Sequence, residues 1–79
     1  MIIITGAAGF IGSAIVWQLN QEGINDILLV DSLGSDEKWK NLVNLKYIDF
    51  LDKKEFLTLI EQGTNFGDVQ FIIHMGANS

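Results

Sequence analysis

Thr5-Gly6-Ala7-Ala8-Gly9-Phe10-Ile11-Gly12 joins two different hydrophobic patterns, and its reading decides the fold. Before it stands Ile2-Ile3-Ile4, a short β-branched run of the kind that forms a strand buried on both faces. After it, Ile11, Ala14, Ile15 and Leu19 recur at helical spacing until Gly23, which is placed to cap the helix C-terminus. The unit is therefore strand, glycine turn, helix. Residues 27–30 supply a second apolar run that ends in Asp31, and a third, less apolar run covers residues 45–49. Between them residues 35–44 are expected to form a short helix, with Ser35 as N-cap and Leu42 and Val43 inward. A further helix is signalled by Asp52 and Glu55 at capping-box spacing, an apolar stripe of Phe56, Leu59 and Ile60, and a stop at Gly63. Residues 69–74 read as a fourth strand. The order βαβαβαβ with short connections implies a parallel α/β sheet, the first half of a doubly wound Rossmann fold.

This context gives the glycines a chemistry. A pyrophosphate needs backbone N–H groups aimed at it and no side chain in the way, and a helix N-terminus adds a favourable dipole. Gly6 suits the tight turn out of the strand, Gly9 the approach of backbone to phosphate, and Gly12 the packing of helix on strand. A glycine-rich turn of this spacing can also be purely structural; the strand before it, the helix after it and the acid at the end of the next strand favour dinucleotide binding. Asp31 lies nineteen residues beyond Gly12, where a carboxylate accepts hydrogen bonds from the adenosine ribose hydroxyls. The alternative is an acid that caps the loop after the strand. A carboxylate there favours NAD, because it repels the 2′-phosphate of NADP. Lys38, Lys40, Lys53 and Lys54 stand in two short clusters that can neutralise that phosphate or simply face solvent, so these residues leave the choice of cofactor open.

Size and composition set the limits. Seventy-nine residues allow one compact unit, and the sequence carries no repeat, linker or internal boundary. A net charge of −5 argues against nucleic acid and anionic membrane as partners. The chain has no cysteine, hence neither disulfides nor thiolate metal sites, and no metal-ligand constellation is expected. The N-terminal run lacks a basic flank and breaks at Thr5 and Gly6, unlike a signal peptide or a membrane span. A cytoplasmic protein is the expectation.

The start of the chain through Ser13 is similar to that of many extended short-chain dehydrogenases/reductases and sugar-nucleotide epimerases. More specific are Gly23-Ile24-Asn25-Asp26-Ile27-Leu28, Val30-Asp31-Ser32-Leu33, Lys38 with Asn41-Leu42-Val43, Asp52-Lys53, Phe66-Gly67-Asp68-Val69 and His74-Met75-Gly76-Ala77. Together these resemble the ADP-glycero-manno-heptose 6-epimerase family, without an evident gap from Met1 to Ser79. The resemblance implies an NADP-dependent isomerase that inverts C6 of the heptose by transient oxidation, in the synthesis of a lipopolysaccharide core precursor. It also implies a nucleotide-sugar substrate and a homo-oligomer, specifically a homopentamer.

Carried onto this sequence, the resemblance puts Phe10 and Ile11 at the pyrophosphate turn and Asp31 and Ser32 beside the adenosine ribose. Lys38 and Lys53 match basic cofactor contacts, which tips the expectation to NADP. Met75, Gly76, Ala77, Asn78 and Ser79 match a loop that passes under the cofactor. Met75 stands where the family usually has an acid and Asn78 where it has a small residue such as cysteine; the loop's largely backbone contacts are expected to survive these changes, and the departure at 75 bears only on a side-chain hydrogen bond from that position.

Other candidates are weaker. His74, the single histidine, is expected to pack or anchor a loop at the end of a buried strand. Asp49 is expected to end the third strand, either near an adenine amine or as a loop cap. Trp17 and Trp39 fall off the apolar stripes and are expected at the surface. The family's chemistry needs a tyrosine with a lysine four residues on, and Tyr47 is followed there by Leu51, so no catalytic residue is assigned. The chain is accordingly expected to be the N-terminal cofactor-binding portion of a longer enzyme, without the substrate domain. Two other readings are the same portion of another sugar-nucleotide epimerase or dehydratase, and a non-enzymatic dinucleotide-binding module.

Overall fold

Four parallel strands form one sheet in the order β3-β2-β1-β4. A computed structural model describes residues 1–32 and 38–74. The strands are β1 (Ile2–Thr5), β2 (Ile27–Asp31), β3 (Asp49–Asp52) and β4 (Phe71–His74); helix α1 (Phe10–Gln21) follows β1, a 3₁₀ helix (Lys38–Leu42) follows β2, and α2 (Lys53–Glu61) follows β3. The expected α/β half of a doubly wound sheet is therefore present.

The alternation of side chains along the strands builds two cores. Ile2 and Ile4 of β1 join Ile27 and Leu29 of β2 and Val16 of α1 on one face, with Ala7, Ala8 and Leu42. Ile3, Leu28 and Val30 meet Phe56 of α2 on the other, and the Phe56 and Phe66 rings stack at 5.6 Å. Helices on opposite faces of one parallel sheet define the doubly wound layout. Both helices end in the same way. Gly23 (φ 83°) and Gly63 (φ 75°) adopt the left-handed conformation, and paired bonds close each end, Gly23 N–H to Asn20 O with Ile24 N–H to Leu19 O, and Gly63 N–H to Ile60 O with Thr64 N–H to Leu59 O.

Several expectations are corrected. The buried side of α1 is Gly12, Ser13 and Val16, flanked by Ile15 and Leu19. Ile11 and Ala14 face solvent instead, because the helix seats its smallest residues against the turn. Strand β3 opens at Asp49 rather than ending there. Residues 45–48 are irregular: Leu45 N–H bonds to Leu42 O, and Asn20 takes both Lys46 N–H and Lys46 O, so the ladder to β2 starts only with Ile48 N–H to Ile27 O. The described part of the expected helix at 35–44 is the 3₁₀ helix, and its tighter turn buries Leu42 while Val43 faces out; Ser35 lies outside the described residues. In α2 Phe56 is buried, Leu59 half-buried and Ile60 exposed. Asp52 does cap α2, accepting from Lys54 N–H at 3.0 Å, but among the described residues no bond returns from Glu55.

β4 lies at the sheet edge, beside β1. Phe71 and Ile72, which point to opposite faces, are 65% and 64% exposed. The strand that His74 ends is thus an exposed edge, as expected of a fourth strand without a further neighbour, and not a buried strand; Ile73 alone of its apolar residues packs, half-buried, against the first core.

Candidate cofactor site

The strand order reverses at β1. The chain moves outward from β1 to β2 and β3, then returns to place β4 on the other side of β1, and the carboxyl ends of β1 and β4 therefore frame the crevice where open α/β sheets bind ligands. Thr5 and His74, the last residues of these strands, are register partners, and Thr5 Oγ1 hydrogen-bonds to His74 Nδ1. This pair fixes the two strand ends together, which accords with an anchoring role for His74.

The glycine turn rises from the same edge. Gly6 takes φ 74°, a left-handed value that favours glycine, and its N–H bonds to Val30 O at 2.7 Å, so the end of β2 holds the start of the turn. Gly9 is the N-cap of α1 in an extended conformation, and Ser13 N–H bonds to Gly9 O at 2.9 Å. Among the described residues no side chain caps this turn, and its first residues carry no acid. The leading N–H groups of a helix have no intrahelical acceptor, so those of Phe10, Ile11 and Gly12 form a cluster of donors suited to an anion. Phe10 and Ile11 are 83% and 61% exposed at this end.

Space around the glycines separates two roles. A Cβ on Gly12 would lie 2.4 Å from Gly6 O and 2.9 Å from Ala7 Cα, so only glycine lets α1 seat this closely on the turn. Among the described residues a Cβ on Gly9 would meet nothing nearer than Gly6 O at 3.6 Å. The fold itself does not require glycine at position 9. The bare backbone there, ahead of an uncapped helix terminus, fits a phosphate-bearing group that must come close.

Asp31 is tied to this turn. Its Oδ2 accepts from Ala8 N–H at 2.8 Å and its Oδ1 from Ser32 N–H at 2.6 Å, the loop-capping geometry, at the position next to the turn that the ribose reading also needs. Asp31 is the register partner of Asp52, and Lys53 follows directly as the first residue of α2. The sheet thereby brings Lys53 to the same edge as Asp31, Ser32 and the glycine turn. Lys38 opens the 3₁₀ helix, and its side chain lies outside the described residues. So do Met75, Gly76, Ala77, Asn78 and Ser79. Asp49 is removed from the site: as the first residue of β3, opposite Leu28, it stands three residues, roughly 10 Å of strand, from this edge. Trp17 is exposed, as expected.

Two features had no sequence signal. Asp52 faces Asp31 only because β3 begins later than its apolar run suggests. Asn41 donates from Nδ2 to Ala8 O at 2.8 Å, a contact across 33 positions that no local pattern announces.

The model of the NAD dependent epimerase/dehydratase family matches residues 2–79. The chain belongs to this family. The family implies a nicotinamide dinucleotide as the cofactor class. Curated relatives described as ADP-L-glycero-D-manno-heptose-6-epimerase, from Nitratidesulfovibrio vulgaris strains DP4 and Hildenborough, are 52% identical over all 79 residues. The chain spans 24% of the length of these relatives. Among the described residues no helix is long and apolar enough to cross a membrane, and no three His, Cys, Asp or Glu side chains group as metal ligands.

Proposed function

We propose that this chain is the cofactor-holding N-terminal portion of a longer cytoplasmic, homo-oligomeric sugar-nucleotide epimerase, one that uses NADP to invert C6 of the heptose in ADP-glycero-manno-heptose. The observation that carries the reading is the first turn of α1 behind Gly9, uncapped among the described residues, where a Cβ would make only ordinary contact with Gly6 O. Relatives that carry the name of that activity support the substrate class. The exposed apolar residues of β4 support a longer protein, since a further strand and helices would cover them.

In this reading the N–H groups of Phe10, Ile11 and Gly12 hold the pyrophosphate. Asp31 orients the turn through Ala8 and borders the adenosine ribose with Ser32. Lys53 and Lys38 balance the 2′-phosphate, and residues 75–79 run beneath the cofactor. When bound, NADP supplies the hydride acceptor and donor that allow a carbon centre to be oxidised and reduced without net redox change. The acid/base residues belong to the remainder of the enzyme.

A second reading, NAD in place of NADP, is favoured by one observation: Asp31 and Asp52 face each other in register at the edge where the 2′-phosphate would lie. Thermal unfolding separates the two. NADP⁺ is expected to raise the Tm of the protein more than NAD⁺ at equal concentration, and Lys53→Glu to abolish the difference. Equal protection of the unsubstituted protein by both would remove the role given to Lys53 and Lys38. Turnover of ADP-heptose but not of UDP-hexoses by the full-length protein is the corresponding test of substrate.

A further inference from the structure

Two consecutive peptide planes lead into the uncapped turn of α1, and each is held from a different element. The plane between Ala7 and Ala8 is fixed through Ala8 N–H, which donates to Asp31 Oδ2 at 2.8 Å at the end of β2. The plane between Ala8 and Gly9 is fixed through Ala8 O, which accepts from Asn41 Nδ2 at 2.8 Å. Because a peptide unit is rigid and planar, holding Ala8 O also sets the direction of Gly9 N–H and the start of the helix behind it. Beyond Gly6, whose N–H holds Val30 O at 2.7 Å, the turn's own bonds are looser, with Gly9 N–H to Gly6 O and Ala7 N–H to Val30 O both at 3.3 Å. The donor is itself well placed to act as a clamp. Asn41 precedes Leu42, which is buried in the same core cluster as Ala7, Ala8 and Val16, so the 3₁₀ helix is anchored beside the turn.

We propose that Asn41 is a positioning residue for pyrophosphate binding: with Asp31 it clamps Ala8 from both sides and fixes the plane from which α1 presents its donors. This inference rests on the dinucleotide reading above. It assigns Asn41 no contact with the cofactor; the residue acts through the Ala8–Gly9 peptide.

The test compares a ligand that carries the pyrophosphate with one that lacks it. Calorimetric titration of the full-length protein uses whichever of NADP⁺ and NAD⁺ binds more tightly, against adenosine 2′-monophosphate for NADP⁺ or adenosine for NAD⁺. Asn41→Ala is expected to raise the Kd for the dinucleotide about tenfold, the scale of one well-placed hydrogen bond, and to change that for the fragment by less than about twofold. Asn41→Asp, nearly identical in shape, places an acceptor against Ala8 O and is expected to weaken the dinucleotide further while keeping the fold. A dinucleotide Kd unchanged in both variants, or dinucleotide and fragment weakened by the same factor, overturns the proposal. Failure of the unsubstituted protein to bind either dinucleotide would instead refute the underlying reading, and this inference with it.

Discussion

Gly9 and Gly12 belong to one motif, yet the space around them assigns them opposite duties. Gly12 serves the fold, since its Cα approaches Gly6 O and Ala7 so closely that an added Cβ would sit at 2.4 Å and 2.9 Å from backbone atoms that cannot yield without moving the turn. Gly12→Ala is therefore expected to lower stability by about 1–3 kcal/mol, the usual cost of overpacking, read as a fall in Tm before any ligand is added. A Tm equal to that of the unsubstituted protein would show that α1 can lift off the turn at no cost. Asp31 likewise has a duty that the motif alone does not announce, because it accepts from Ala8 N–H and Ser32 N–H, backbone donors of the glycine turn and of the loop after β2. A carboxylate at the end of β2 thus shapes the turn whichever cofactor is present.

At the scale of elements, the helix ends carry the clearest local physics. Gly23 closes α1 at φ 83°, with open space around it, so a side chain there meets strain in the backbone rather than a clash. Gly23→Ala is expected to cost about 1–2 kcal/mol from the left-handed conformation alone, and Asp52→Ala about 1 kcal/mol from the lost cap on α2; denaturant unfolding checks both. These features were legible in the sequence because caps depend on a few adjacent residues. The same holds for β1 and β2, whose uninterrupted apolar runs match strands covered on both faces. Legibility failed where distant atoms intervened. Residues 45–48 look like a strand, but Asn20, across 26 positions, takes the backbone groups of Lys46 and delays the ladder to Asp49. The inward side of α1 was misjudged for a related reason: close seating on the turn selects Gly12 and Ser13 for the interface and leaves Ile11 and Ala14 outside. In the site, Lys53 reaches the edge beside Asp31 through strand register, while the same register moves Asp49 away.

At the scale of the whole molecule, the described residues form a four-stranded sheet finished on both faces only over its two central strands. Over β1 and β2 each face has its helix, and their core residues are almost wholly buried; over β4, Phe71 and Ile72 remain open to solvent. The crevice at the carboxyl ends of β1 and β4 is where the first turn of α1 and the Thr5–His74 pair stand. One arrangement thus gathers the glycine turn, Asp31, Ser32 and Lys53 at one edge of the sheet. Gly9 is the point at which fold and ligand can be separated, since the fold leaves room there and the proposed pyrophosphate does not. The most direct measurement is titration of the full-length protein and its Gly9→Val variant with NADP⁺, alongside the Tm of each. The account predicts binding by the unsubstituted protein and at least tenfold weaker binding by Gly9→Val, with stability altered by less than about 1 kcal/mol. Undiminished NADP⁺ binding by a folded Gly9→Val protein would contradict it.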